Sequence, residues 1–233
     1  MGARPSGLPE VLLRGLEKAI GIQQAPIGSF VARLRRARPG ATPAEIIAVL
    51  EKQYLTAVTG TGAAVGGAAA APGVGTLAAL ALSGGETAVF LEATALFALA
   101  VAEVHGLRVD DVERRRTLVL AVVLGDQGAM LVRKMTGRTG QHWGELLPDA
   151  IPKSSITAVN KTLGHWFLKR YGRKQGMLLL GKVAPFGIGA AIGGAGNRAL
   201  GRQVINSSRQ IFGPPPISFG EGTTVTIVNG TVG

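Results

Sequence analysis

The stretch Gln53–Gly85, QYLTAVTGTGAAVGGAAAAPGVGTLAALALSGG, runs for thirty-three residues without a charged side chain. Its small residues recur every four positions. Ala63, Gly67, Ala71 and Gly75 form one row, and Gly62, Gly66 and Ala70 form the row beside it. On a helix, spacing by four keeps a row on one face. A face of Gly and Ala lets another backbone approach closely. A second row of this kind lies late in the chain, at Gly181, Pro185, Gly189, Gly193, Asn197 and Gly201. The two rows predict an all-α fold of packed helical hairpins, joined through Gly/Ala-rich helix contacts. The expected packing seam is Gly62, Gly66, Gly67, Gly75, Gly189 and Gly193.

Crossing a bilayer takes about 20 apolar residues, so Gln53–Gly85 is long enough for a kinked span or a hairpin that dips in and returns. Its strongly apolar members between Ala64 and Leu82 are Val65, Val74, Leu77, Leu80 and Leu82. A buried pair of water-soluble helices shares that composition, so both readings stay open. Pro72-Gly73 predicts a break, because proline removes a backbone donor and clashes with the preceding turn.

Upstream, Leu12, Leu16 and Ile20 outline an amphipathic helix over 8–22 in which Glu10, Arg14, Glu17 and Lys18 interrupt the apolar run. That pattern does not read as a secretory signal. A second helix is expected at about 27–37, with Ile27, Phe30, Val31 and Leu34 opposite Arg33, Arg35 and Arg36. Such a helix either lies in a membrane interface with arginines toward phosphate or docks on a core. Thr42-Pro43-Ala44-Glu45 is a helix start, with Thr as N-cap, Pro at the first position and Glu three residues after the cap.

Downstream, Ser83-Gly84-Gly85 reads as a reset before a helix over Glu86–Glu103, which is apolar almost all round. Glu92 and Glu103 share a face of it, and Arg114-Arg115-Arg116 and the later basic helices are their expected partners. His105-Gly106 closes the helix, and Asp110-Asp111-Val112-Glu113 opens the next with acids at its positive end. The apolar run from Thr117 continues to Met130, Leu131 and Val132 before Arg133-Lys134, and Thr136–Pro152 is a polar connector. From Lys153, apolar Ile156, Val159, Leu163, Phe167 and Tyr171 oppose Lys161, Lys169, Arg170, Arg173 and Lys174. Gly176–Phe212 is the second long helical region, loosened near Pro185. One domain over 8–212 is expected. Residues 213–233 form a Pro/Gly-led tail, read as a single strand or as no regular structure.

Charge narrows the partners. The chain carries 25 basic and 14 acidic residues, a formal net charge of +11. Its distribution says more than its sum. Residues 150–220 hold ten basic side chains and no acidic one. An acid-free cationic third implies an anionic partner, a lipid surface or nucleic acid. Trp166, Lys169, Arg170, Arg173 and Lys174 are the candidates for contact with an anionic surface, since aromatics beside cations suit a bilayer interface. Nucleic acid is disfavoured: no helix-turn-helix, zinc finger or RNA-recognition motif is present, and long uncharged glycine-rich runs separate the basic residues.

Catalytic constellations do not emerge. Gly176 to Lys182 has the glycine and lysine spacing of a phosphate-binding loop, but Val183 stands where a hydroxyl should hold Mg²⁺. Gly60, Gly62 and Gly66 follow no strand, so they do not read as a dinucleotide loop. His105, His142 and His165 lie in different elements, and cysteine is absent. His142 and Glu145 read as surface groups of the connector rather than metal ligands. No cofactor, metal site or catalytic residue is expected.

The order of features from Thr42 to Phe212 resembles the EcsC-like family of bacterial membrane-associated proteins. The similarity rests on the lead-in helix over 42–58, the glycine-rich stretch ending in Pro-Gly, and the helix into His105-Gly106. The family's pattern of an aromatic and Gly, then Asp, Glu and Arg, is matched at Gly106, Asp111, Glu113 and Arg115. Its closing proline, glycine-rich helix and asparagine are matched at Pro185, Gly189, Gly193 and Asn197. The chain departs at His105, where Tyr is usual, and at Arg108 and Val112, which replace Asp and Pro. The resemblance implies a helical protein at the cytoplasmic face of a bacterial membrane and supplies no reaction. Two functions are therefore expected in order: a peripheral or shallowly inserted protein with a basic face for anionic lipid, then a scaffold that binds a membrane transporter or another protein through the glycine seam. Nucleic-acid binding or catalysis comes third.

Overall fold

The structure is a computed structural model. It describes residues 16–18, 20–21, 24–69, 76–107, 109–136, 153–182 and 188–219. Side chains at 24–25, 65–69, 76–86, 132–133, 135–136, 153, 170–182 and 188–192 lie outside that description. Among the described residues every regular element is an α-helix. They run α1 Gln24–Arg36, α2 Pro43–Ala69, α3 Thr76–Val104, α4 Val112–Leu124, α5 Asp126–Thr136, α6 Lys153–Lys182 and α7 Ile188–Phe212.

The short α4 sits at the centre. Every residue from Thr117 to Leu124 is buried, because α3, α5, α6 and α7 all pack around it. An apolar run without a polar side is stable as a helix only when neighbours cover it on all sides. Its start follows from sequence: the Asp111 side chain caps the helix by accepting from the Arg114 N–H at 3.0 Å. Its end does too. Gly125 adopts φ +71°, and its N–H returns to the Ala121 carbonyl at 3.0 Å. The apolar run from Thr117 to Val132 is therefore two helices, not one. Gly128 closes the corner, since a Cβ there would stand 2.7 Å from the Ala121 carbonyl oxygen.

The Thr42 start of α2 is a reciprocal capping box. The Glu45 N–H donates to Thr42 Oγ1 at 3.3 Å, and the Thr42 N–H donates to Glu45 Oε2 at 2.7 Å. That bond and the Thr42 hydroxyl hold the Glu45 carboxyl below the usual range. The end of α3 is a Schellman turn: Leu107 N–H reaches the Ala102 carbonyl, Gly106 N–H reaches Glu103, and Gly106 has φ +75°.

Three sequence expectations change in the folded chain. Helix α3 passes through Ser83-Gly84-Gly85 without a reset. Two glycines cost a helix about 1 kcal/mol each, a small loss beside the ladder and burial of a 29-residue helix. The helix begun at Lys153 continues to Lys182, which puts Gly181 on α6 while Gly189, Gly193, Asn197 and Gly201 lie on α7. Glu92 pairs with Lys18 of the N-terminal segment rather than with Arg114–Arg116. Helix α1 takes the docked alternative, with Ile27, Val31 and Leu34 buried in the core.

Among the described residues, the segment long and apolar enough to cross a membrane is Thr87–Val104 of α3. Within the fold 67% of it is buried, so most of its apolar surface is already spent on other helices. Pro72-Gly73, the connector over 137–152 with Trp143, His142 and Glu145, and residues 220–233 lie outside the described residues. The first part of the tail does not leave the body: Phe219 returns beneath Arg35, whose guanidinium carbon is 3.9 Å from the ring centroid.

Candidate functional site

The most extensive helix pair is α2 against α7, and its geometry explains the small residues. A Cβ on Gly62 would stand 2.5 Å from the Gly193 carbonyl oxygen and 2.7 Å from Asn197 Nδ2. Asn197 is buried, and its Nδ2 donates to the Val58 carbonyl at 3.1 Å. The backbones approach closely enough for this amide to cross from one helix to the other only because Gly62 has no side chain. Gly194 lies over Ala63, and a Cβ on Gly201 would stand 2.9 Å from Val58 Cγ2. Gly62, Gly193 and Asn197 are thus brought together. Gly66 and Gly67 lie on α2 and Gly189 on α7, but their surroundings fall outside the described residues, as do Gly75 and Pro185 entirely. Where it is described, the seam is occupied by the chain itself and is not open to a second protein.

The motif residues around α4 hold helices in place. Asp111 is the cap. Glu113 accepts from Asn160 Nδ2 of α6 at 2.8 Å and from Arg116 Nη1 at 3.2 Å. The same Asn160 amide donates to the Glu113 carbonyl at 2.8 Å, and its Oδ1 accepts from the Thr117 hydroxyl at 2.8 Å. Arg115 is buried, with Nη2 donating to the Asp110 carbonyl at 2.9 Å and Nη1 directed at the Ile20 carbonyl at 3.4 Å. It therefore ties the N-terminal segment to the loop before α4. Asn160 was not foreseen. Its signal was an amide four residues after Ile156, on the row that otherwise buries Val159, Leu163 and Phe167.

At the far end of the α2–α7 pair, Arg209 grips Glu51 bidentately, Nε to Oε1 at 2.7 Å and Nη2 to Oε2 at 2.6 Å. The carboxylate holds the guanidinium pKa above its ordinary value. The pair lines a cleft of about 550 Å³ with Ile47, Val101, His105 and Phe212. His105 stacks on Phe212 with ring centroids 5.3 Å apart. The two formal charges in this cleft neutralise each other, which leaves mainly apolar walls.

The cationic surface is a separate region. On α6, Lys161, His165 and Lys169 are exposed at four-residue spacing, so they form one row. Trp166 is half-buried and packs against the core rather than standing free beside them. Arg170, Arg173 and Lys174 continue α6, with side chains outside the described residues. On α7, Arg198 and Arg202 are exposed one turn apart. A further cationic cleft of about 560 Å³ is lined by Arg35, Arg36, Arg38 and Phe219. Gly176 to Lys182 is continuous helix, so it forms no phosphate-cradling loop. Among the described residues, no three His, Asp or Glu side chains converge as metal ligands. Compared with known proteins, the chain matches no family model, no curated protein and no solved structure.

Proposed function

We propose that the chain is a membrane-associated helical protein, peripheral or shallowly inserted, that meets anionic headgroups through a basic face. The cytoplasmic face of a bacterial membrane is the proposed location, in line with the resemblance to the EcsC-like family. One observation carries the reading: residues 150–220 hold ten cations and no acid, and Lys161, Lys169, Arg198 and Arg202 of that stretch are exposed. Glu51 neutralises Arg209, but the exposed cations of α6 and α7 outnumber the acids brought beside them, and their net positive field attracts an anionic bilayer. Helix α1 buries Ile27, Val31 and Leu34 in the core and so does not offer them for insertion. Its arginines remain on the outside and add to the field.

Vesicle flotation tests the proposal, using phosphatidylcholine with and without phosphatidylglycerol. Each surface cation contributes about 1 kcal/mol. Lys161→Gln with Lys169→Gln should therefore weaken binding to the anionic vesicles by about 30-fold. High salt should do the same to the parent protein. Binding that is indifferent to lipid charge and to salt would remove the electrostatic basis of the reading.

A further inference from the structure

A cleft of different character, of about 400 Å³, lies between α1, α2 and α3. Its walls are Ile27 and Phe30 of α1, Leu50, Tyr54 and Ala57 of α2, and Phe97 of α3. They are rigid. Tyr54 stacks on Phe97 with ring centroids 4.8 Å apart, and its hydroxyl is 2.9 Å from Thr94 Oγ1 in the buried interior. The tyrosine's polar end is thus satisfied inward, and its ring is left as an apolar wall. Polar groups are few: Gln53 and Arg33.

The cleft opens onto exposed apolar surface. Leu96 is 44% exposed and lines the cleft, while Val89, seven residues earlier on α3, is 46% exposed. Spacing by seven keeps them on one helix face, with Ala93 between. Arg33 is exposed and stands one turn beyond Phe30 on α1, with Arg36 one turn further. No acidic residue occurs in α1. The site therefore combines an apolar slot, an apolar approach and a cation at the rim. Ligand pockets of this size are apolar with a few polar groups that fix orientation.

We propose that this cleft binds the hydrocarbon chain of a long-chain carboxylate, with its headgroup held at Arg33. An arginine fork matches a carboxylate in a way a lone ammonium does not. The inference goes beyond the surface reading and does not depend on it, because the ligand is tested as a monomer without vesicles.

Calorimetric titration with laurate below its micellar concentration is the experiment, alongside decanoate and dodecyltrimethylammonium. Saturable binding of one laurate is expected, with affinity rising about fourfold per added methylene and the cationic amphiphile at least tenfold weaker. Arg33→Glu should abolish the preference for the anion. Ala57→Phe, at an exposed position on the cleft wall, should fill the slot and remove chain binding. Thermal melts of both variants show whether they fold. Independently, a diazirine-bearing fatty acid should crosslink to peptides of α1, α2 and α3. Equal binding of both headgroups, undiminished binding in a folded Ala57→Phe variant, or crosslinks confined to other helices would each overturn the proposal. So would a laurate-insensitive dimer that Ala57→Phe dissociates, since a second copy would then occupy the cleft.

Discussion

Replacing Gly62 by alanine adds one carbon where α2 and α7 touch. That carbon would stand 2.5 Å from the Gly193 carbonyl oxygen, whereas a carbon and an oxygen settle no closer than about 3.3 Å. Backbone oxygen in the middle of a helix cannot swing aside, so the helices must separate by roughly 0.8 Å. A gap of this size forfeits about a quarter to a half of each affected dispersion contact. Overpacking of this kind costs about 1–3 kcal/mol. The new carbon also lies 2.7 Å from Asn197 Nδ2 and displaces a buried amide from the Val58 carbonyl, which adds about 1–3 kcal/mol. The expected loss is about 2–6 kcal/mol, or roughly 5–20 °C in Tm for a chain of this length.

Gly60 supplies the control. It lies on the same helix, two residues away, exposed, with no atom within 4 Å of a Cβ built there. Gly60→Ala should raise stability by about 0.5–1 kcal/mol through helix propensity alone. The two substitutions make the same chemical change and differ in sign, so a pair of thermal melts followed by circular dichroism reads the result. Asn197→Ala refines it. With the amide gone the Gly193 carbonyl still obstructs, and Gly62→Ala should cost about 1–3 kcal/mol in that background. If Gly62→Ala melts within about 2 °C of the parent, the helices are not in contact at this point and the reasoning fails.

Two further outcomes follow from polar groups. Asn160→Leu should destabilise by about 1–3 kcal/mol in urea titration, because the bonds that join the Asn160 amide of α6 to Thr117 and to the Glu113 carbonyl and carboxylate are lost, while the Thr117 hydroxyl keeps the Glu113 carbonyl as acceptor at 3.0 Å; a cost near zero would mean water replaces the amide freely. At the α2 start, the folded Glu45 pKa lies below its ordinary value of 4.5. Its contribution is therefore complete above that value and is lost as pH falls through the lower folded value. Glu45→Gln should flatten this acid limb of the stability curve, and parallel curves for parent and variant would contradict the capping box.

Much of the architecture was written locally. The Thr42–Glu45 box, the Asp111 cap and the Gly106 turn are short-range features, each complete within a few residues, and the folded chain uses all three. The rows of small residues marked which helix faces lack bulk. The candidate site was less legible. Neither the Asn160 node nor the apolar cleft has a linear signature, since each draws on residues from separate helices, and a lone amide on an apolar row is a faint mark until its partners are known.

Sequence by itself determined that this chain is helical and where several helices begin and end, because hydrogen bonding within a helix and its caps reaches only three or four residues along the chain. Tertiary structure alone decided that Asn197 crosses the α2–α7 seam to the Val58 carbonyl and that Glu92 pairs with Lys18. It also kept α3 helical across Ser83–Gly85. Those outcomes depend on which surfaces bury the most area together, a sum over residues far apart in sequence that no local pattern contains.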